Sequence, residues 1–179
     1  MWVFGYGSLL WRPGFAFTKT KLARLDGFRR SFCMSSIHHR GTPENPGLVL
    51  ALEAADGFSC NGVVFHVEDV RTQTTLDYLR KRELISSAYL ETKVKVNYQD
   101  RLQLMAVTYI IDKTHEQYRI DLDLAEQANI IANATGSMGH NADYLFNTVS
   151  QLKKLNLKDP ELEWLDKKVH RILDAKKSV

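Results

Sequence analysis

Apolar and β-branched side chains fall into short runs along the first two thirds of the chain, and Gly and Pro separate these runs. Runs of this length and composition are typical of buried β-strands. Between the second and third runs, the segment from His38 to Gly47 contains two Pro and two Gly and predicts a polar loop. The four predicted strands are Met1 to Tyr6, Arg29 to Met34, Leu48 to Ala54 and Asn61 to Val67.

The pattern then changes to that of a helix from Glu68 to about Arg82, which ends close to Glu83. The apolar stripe of this helix is thin and consists of Val70, Leu76 and Leu79. Two further β-prone segments, Thr92 to Tyr98 and Leu102 to Ile111, predict an antiparallel pair connected across Gln99-Asp100.

Helical periodicity dominates the rest of the chain. One helix carries Leu124, Ala128 and Ile131, with Gly136 as its predicted C-terminal stop, and a second carries Leu145, Val149 and Leu152. A third begins at Asp159-Pro160, where Asp can cap and Pro suits the first helical position. Strands first and helices last predict an α+β domain with a closed or strongly curved mixed sheet and flanking helices.

Composition places the chain among ordinary globular proteins. With 179 residues, 44% hydrophobic and 25% charged, it is expected to form one domain spanning residues 1–179. Its two cysteines form no CxxC pair, which favours a reducing cytoplasmic setting. The net charge of +3 is spread over scattered basic clusters, so no nucleic-acid partner is expected. The apolar opening from Trp2 to Trp11 is interrupted by Gly and Ser and lacks a basic leader, so we expect neither a signal peptide nor a membrane span.

The densest chemical signal is Gly5-Tyr6-Gly7-Ser8 at the end of the first strand. Two glycines there allow close backbone approach and leave amides available to hold an anion, although a simple tight turn explains them equally well. A dinucleotide site is disfavoured because its third glycine would fall on Leu10. Ser8 lacks a nucleophile elbow and is better interpreted as a hydrogen-bond donor.

Other candidates are weaker on the residues alone. No Cys/His spacing predicts a metal site, and no cofactor is expected. Glu83 follows Arg80-Lys81-Arg82 near a helix C-terminus, where the helix dipole raises a carboxyl pKa and the three cations lower it; a plain surface carboxylate is the simpler interpretation. Tyr144 is by default a packing tyrosine.

Four motifs in matching order resemble the ChaC-type glutathione-specific γ-glutamylcyclotransferases, over about the first 150 residues. The opening from Trp2 to Trp11 resembles the family signature almost residue for residue, and the last helix matches only in character. The other three motifs are His39-Arg40-Gly41-Thr42-Pro43, Tyr78-Leu79 with Arg82-Glu83 and Tyr89, and Asn141-Ala142-Asp143-Tyr144-Leu145-Phe146.

The resemblance implies a γ-glutamylcyclotransferase-like fold and a reaction in which the α-amine of glutathione attacks its own γ-carbonyl, giving 5-oxoproline and Cys-Gly. It implies Glu83 as general acid and base, without a metal or cofactor. It also implies substrate contacts from Tyr144, from Arg40 as a partner for a substrate carboxylate, and from the opening turn, whose residues are Val3, Phe4, Gly5, Tyr6, Gly7, Ser8 and Leu9.

Two alternatives stay open at this point. The same residues would serve a cyclotransferase for other γ-glutamyl amino acids or amines, or a non-catalytic module that binds γ-glutamyl ligands. The stretch from Leu84 to Ala88 differs from the shorter Lys-Gly-Gly spacing of some family members and resembles bacterial-looking members instead. Its conformation and the oligomeric state are not predicted.

Overall fold

The computed structural model describes residues 1–99 and 102–177, and these divide into two compact units. The first unit consists of Met1–Ser31 and Ala51–Glu116, and the second of Phe32–Leu50 and the chain from Gln117 onward. Each unit is therefore built from two separate chain segments. The expectation of one domain over the whole chain stays a prediction.

Five strands form a closed barrel: β1 (Trp2–Gly5), β2 (Lys19–Ser36), β3 (Gly47–His66), β4 (Tyr89–Tyr98) and β5 (Leu102–Ile111), in the order β1-β3-β2-β4-β5. Most barrel residues belong to the first unit, and only residues 32–36 of β2 and 47–50 of β3 belong to the second. Strand β1 pairs antiparallel with β3 and parallel with β5, where Val3 lies opposite Val107, so the sheet is mixed as predicted.

Apolar side chains fill the barrel core, and the group includes Phe4, Leu25, Leu52 and Val96. The prediction of separate strands at Leu48 to Ala54 and Asn61 to Val67 is wrong, because both belong to one long strand, β3, which continues through the exposed segment around Gly57. Strand β2 begins at Lys19, ten residues before its predicted start at Arg29, and continues through Gly27. Both glycines have φ near +78°, a conformation that other residues rarely adopt. Strand pairing, which is non-local, therefore extends both strands through polar sequence.

Helix α1 (Thr72–Glu83) follows a short 3-10 turn, Asp69–Arg71, and ends at Glu83 as predicted. Leu79 is fully buried, but Val70 lies in the 3-10 turn and is 88% exposed, so its predicted place on the apolar stripe is wrong. After α1, β4 and β5 pair antiparallel from Tyr89–Ile111 to Tyr98–Leu102, as the sequence predicts. The connection between them includes residues 100 and 101, which lie outside the described residues.

Three helices make up most of the second unit, and α4 packs against both others. They are α2 (Leu124–Asn133), α3 (Asn141–Lys154) and α4 (Pro160–Lys177). Asp159 accepts a hydrogen bond from the Leu162 amide at the start of α4, as expected of a cap. Among the described residues, no helix combines the length and the apolar character needed to cross a membrane.

The predicted stop at Gly136 is wrong. Helix α2 ends at Asn133, and Gly136 belongs to a small antiparallel ladder of β6 (Thr135–Gly136) with β7 (Gly139–His140). A Cβ at Gly136 would collide with the backbone of His39 and Gly41. Close approach of two backbones, and not helix termination, therefore requires glycine at this position.

The first residue of α3, Asn141, is fully buried, and its side chain bonds to the Leu48 backbone in the way that a neighbouring strand would. Its Oδ1 accepts from the Leu48 amide at 2.7 Å, and its Nδ2 donates to the Leu48 carbonyl at 2.7 Å. One side chain thereby satisfies both backbone groups of Leu48, which lies at the start of β3.

Candidate active site

The glycine turn links β1 to a short 3-10 turn, Ser8–Leu10. A Cβ added to Gly5 would lie 3.0 Å from Leu9 Cβ and 3.0 Å from the Phe65 ring, so a larger residue would require these neighbours to shift. Amides at the start of a helical turn have no acceptor inside the turn, and Gly7 offers no side chain to cap them. The turn thus presents hydrogen-bond donors, as an anion site requires.

The side chains that flank the glycines point into packed surroundings. Val3 and Phe4 are fully buried, and Leu9 is nearly so. The Tyr6 hydroxyl donates to the Tyr109 carbonyl at 2.9 Å, while the Tyr6 carbonyl accepts from Arg30 at 2.8 Å. Val3, Phe4, Tyr6 and Leu9, four of the seven predicted turn residues, therefore support the turn through buried contacts.

Glu83 is not a solvated surface residue. Its side chain retains 18% exposure, and its Oε1 is enclosed without a hydrogen-bond partner among the described residues. Arg82 Nε lies 3.0 Å away, close enough to form an ion pair but not aligned as a hydrogen-bond donor. Burial raises the pKa of Glu83 above its ordinary value, and the charge of Arg82 opposes this rise.

Arg82 connects Glu83 to the glycine turn within the first unit. Its Nη2 donates to Ser8 Oγ at 2.9 Å. Its Nη1 donates to the carbonyls of Arg12 and Pro13, at 2.6 and 3.1 Å. One guanidinium therefore contacts both Glu83 and the segment that carries the glycine turn.

The other two cations of the Arg80-Lys81-Arg82 run have different roles. Arg80 forms a two-pronged ion pair with Glu91 on β4, at 2.8 and 2.7 Å. Lys81 is exposed and has no ion pair among the residues that the structure describes. The prediction that all three cations lower the pKa of Glu83 is thus too simple, because Arg82 alone opposes the effect of burial.

Tyr109 on β5 adds a hydrogen bond to the Arg80–Glu91 pair. Its hydroxyl donates to Glu91 Oε2 at 3.1 Å, and the two residues lie opposite each other in the β4–β5 ladder. Burial first, and then the negative charge of Glu91, raise the pKa of Tyr109, with a smaller contribution from Glu83. The network holds α1 against the β4–β5 pair, and the charge of Glu83 affects the pKa of Tyr109 within it.

The segment from Leu84 to Ala88, whose conformation was not predicted, is fixed by backbone hydrogen bonds near both of its ends. The Leu84 amide donates to Arg80 O at 3.0 Å and so closes α1. Ser87 has φ +56°, and Ala88 is fully buried, with its carbonyl accepting from the Asp112 amide at 2.8 Å. Backbone hydrogen bonds at Leu84 and at Ala88 therefore fix both ends of the segment that follows Glu83.

Arg40 and Tyr144 are brought together in the second unit. Arg40 is buried, and its Nη1 donates to the carbonyls of Met138 and His140 at 2.8 and 3.0 Å. Its guanidinium also lies near the ring of Tyr144, which packs edge-on against Phe32. Tyr144 is buried, as expected of a packing tyrosine, and Arg40 is buried as well.

Sequence reasoning did not single out Arg82, Glu91 or Tyr109. Alternation along Thr92 to Tyr98 and the apolar run through Tyr109 predicted the two strands, and their register places Glu91 beside Tyr109. No local signal distinguishes Arg82 from its two neighbours, because the partners of each cation lie far along the chain.

Comparison with known proteins agrees with this fold and these motifs. The sequence profile of the family described as ChaC-like protein matches residues 1–172. The Escherichia coli glutathione-specific γ-glutamylcyclotransferase is 36% identical over 173 residues, which cover 97% of this chain and 74% of that protein. Arabidopsis thaliana γ-glutamylcyclotransferase 2-3 is 35% identical, over 97% of this chain and 90% of that protein.

A solved structure agrees as well. The crystal structure of the γ-glutamyl cyclotransferase specific to glutathione from yeast superposes with a TM-score of 0.88, at 25% identity and over 96% of both chains. Its similarity covers the barrel and the helices alike. The chain therefore belongs to the ChaC-like family of γ-glutamylcyclotransferases.

Proposed function

We propose that this enzyme converts glutathione into 5-oxoproline and Cys-Gly, with Glu83 transferring the proton. The names of the bacterial and yeast relatives support glutathione as the substrate. The single observation that carries the mechanism is the enclosed Oε1 of Glu83, which accepts no hydrogen bond among the described residues and lies 3.0 Å from Arg82 Nε. The same guanidinium donates to Ser8 in the glycine turn.

The reaction is a ring closure within one molecule. The α-amine nitrogen bonds to the γ-carbonyl carbon, and the bond from that carbon to the cysteine nitrogen breaks. One proton leaves the amine, and one proton reaches the departing nitrogen, so neither water nor a redox partner is consumed. Because the reacting groups are already joined, orientation in the site can contribute on the order of 7–11 kcal/mol.

Glu83 suits both proton transfers. Its enclosed position raises its pKa, which makes its carboxylate a stronger base than that of an exposed glutamate. A carboxylate that has taken the amine proton can return it to the leaving nitrogen. A positioned acid or base of this kind contributes about 10²- to 10⁴-fold in rate.

The glycine turn is assigned to the developing negative charge on the γ-carbonyl oxygen. Amides from Tyr6 to Leu9 and the Ser8 hydroxyl are the proposed donors, and a single preorganised donor is worth about 2.7–4 kcal/mol. Val3, Phe4 and Leu9 would support the turn through packing. Arg40 and Tyr144 remain proposed substrate contacts because both lie on segments that resemble family motifs.

A cytoplasmic location is part of the proposal. Cys33 and Cys60 are both free and buried, which is compatible with a reducing compartment.

The test is direct turnover. Purified protein is incubated with millimolar glutathione, and 5-oxoproline and Cys-Gly are quantified by mass spectrometry. The same assay with γ-glutamyl amino acids and γ-glutamyl amines establishes substrate preference. We expect glutathione to be the best substrate and Glu83→Gln to lose at least about 10²-fold in kcat. Absence of both products from every donor would overturn the assignment, and full activity of Glu83→Gln would overturn the role of Glu83.

A further inference from the structure

Resting on the proposed function, we propose that Arg82 is a positioning residue for the reaction, which fixes Glu83 relative to the glycine turn and sets the direction of the Ser8 hydroxyl. Arg82 is half-buried, with 19% of its side chain exposed. It acts on the reaction through Glu83 and Ser8, which it contacts. Nothing in the proposed chemistry requires it to touch the substrate.

The contacts of Arg82 use all three of its nitrogens. Nε faces Glu83, Nη2 donates to Ser8, and Nη1 reaches two backbone carbonyls and the Tyr78 hydroxyl at 3.0 Å. A planar guanidinium presents five donors in a fixed fork, whereas a lysine ammonium is a single point charge on a flexible stem. Only arginine can therefore hold this set of partners in one rigid arrangement.

The bond from Arg82 to Ser8 fixes what the serine can do. Because arginine has donors and no acceptor, Ser8 Oγ must accept from it. The hydroxyl hydrogen of Ser8 therefore points away from the guanidinium and stays available as a donor to another group. This is the role that the proposed reaction needs for the γ-carbonyl oxygen.

The surroundings leave this cluster little freedom. Tyr78 and Arg82 lie one helical turn apart on α1, and a Cβ added to Gly14 would collide with the Tyr78 hydroxyl. Gly14 also has φ +75°. The chain at Pro13 and Gly14, which follows the glycine turn, is thus packed closely against the side chains of Tyr78 and Arg82.

Arg82 also acts on the charge of Glu83. The charged and titratable groups that interact with this carboxylate are Arg82 on its own helix and Tyr109 on β5. Tyr109 is in turn linked to Glu91 on β4 and, through it, to Arg80. Among them, Arg82 lowers the pKa of Glu83 against the effect of burial. Removing the charge should therefore move the acid limb of the pH–activity profile to higher pH, a readout that a merely structural role would leave in place.

The experiment compares Arg82→Lys and Arg82→Gln with the matched control Lys81→Gln, which removes a cation one position away on the exposed side of the helix. Steady-state kinetics with glutathione from pH 4 to pH 9 are measured below the unfolding temperature of each variant, with circular dichroism to confirm folding. Both Arg82 variants should lose about 10²-fold in kcat, because a displacement on the order of 1 Å at the reacting groups costs that much. The acid limb should move upward in Arg82→Gln and less in Arg82→Lys, and Lys81→Gln should match the wild type.

A second measurement keeps the inference falsifiable if the fold is weakened. Ser8→Ala alone and combined with Arg82→Gln forms a double-mutant cycle in kcat, and we expect strong non-additivity because Arg82 acts through Ser8. Full kcat in Arg82→Lys, or additive effects in the cycle, would overturn the positioning role while leaving the proposed function intact. A wild-type protein inactive on every γ-glutamyl donor would instead overturn the proposed function, and this inference with it.

Discussion

The guanidinium carbon of Arg40 lies 5.6 Å from the ring centroid of Tyr144, within the second unit. The same guanidinium donates to the Met138 and His140 carbonyls, which belong to the turn and strand around β7. The two residues to which the family resemblance assigns substrate contacts are therefore neighbours. Arg40 also stabilises the second unit through its hydrogen bonds to the two carbonyls.

Arg40→Lys should lower the free energy of unfolding by about 1–3 kcal/mol, because an ammonium cannot keep both carbonyl bonds in the geometry of the fork. Urea unfolding measures the loss. Arg171→Lys is the control, since it makes the same change at an exposed arginine. An unchanged KM for glutathione in folded Arg40→Lys would contradict the proposed contact with a substrate carboxylate.

Glu83→Gln should stabilise the protein at neutral pH. The folded state raises the pKa of Glu83 above its unfolded value, which is about 4.3 for a free glutamate. Holding the proton therefore favours folding below that unfolded value, and this advantage disappears as pH rises through the folded pKa. Denaturation at pH 7 and pH 4 should show a stability gain for Glu83→Gln at the higher pH that shrinks at the lower one.

Glu116→Gln is the matched control, because Glu116 is exposed. A gain of the same size in both variants would show that the loss of any one negative charge, and not relief of a buried carboxylate, stabilises the protein.

The acid limb of kcat/KM should reflect the ionisation of Glu83. A general base is active only when ionised, so kcat/KM should fall about tenfold per pH unit below its folded pKa. Because burial raises that pKa, the limb should lie above the ordinary glutamate range. Rates measured from pH 4 to pH 8 locate it; a flat profile down to pH 4 would contradict a buried glutamate base.

Asn141→Asp should destabilise the protein by about 1–3 kcal/mol or more at pH 7. The replacement keeps an acceptor for the Leu48 amide but turns a carboxylate oxygen toward the Leu48 carbonyl, where Nδ2 now donates. The loss should be smaller at pH 4, since a protonated carboxyl can donate. Asn147→Asp on the exposed side of the same helix should change stability by less than about 0.5 kcal/mol.

Local patterns predicted the elements but not their full extent. The barrel strands were found where apolar residues cluster, and α1 and α4 where helix signals are local. The first half of β2, which includes Gly27, and the middle of β3 around Gly57 were missed because glycine and polar residues interrupt the apolar pattern there and the pairing partners are distant in the chain. Asp123 and Glu126 form a capping box on α2, a local signal that was available in the sequence and not used.

The candidate site likewise combines a feature that local sequence reveals with contacts that depend on residues distant in the chain. The glycine turn is visible in sequence because close backbone approach requires a residue type. Arg80, Lys81 and Arg82 are alike as letters, yet each successive residue on a helix points about 100° further round. They therefore meet Glu91, solvent and Ser8 respectively, and only the three-dimensional neighbours of each cation reveal which one supports Glu83.

Because each unit is assembled from two stretches of chain, the order of synthesis imposes a delay on the second one. Phe32–Leu50 leaves the ribosome well before Gln117 and the three later helices are made, at about 5–20 residues per second. For several seconds its apolar side chains, among them Phe32, Leu48 and Leu50, lack the helices that complete their unit. Nascent chains stalled before Gln117 should therefore be held by chaperones and cut readily by protease, whereas the full-length chain should be resistant.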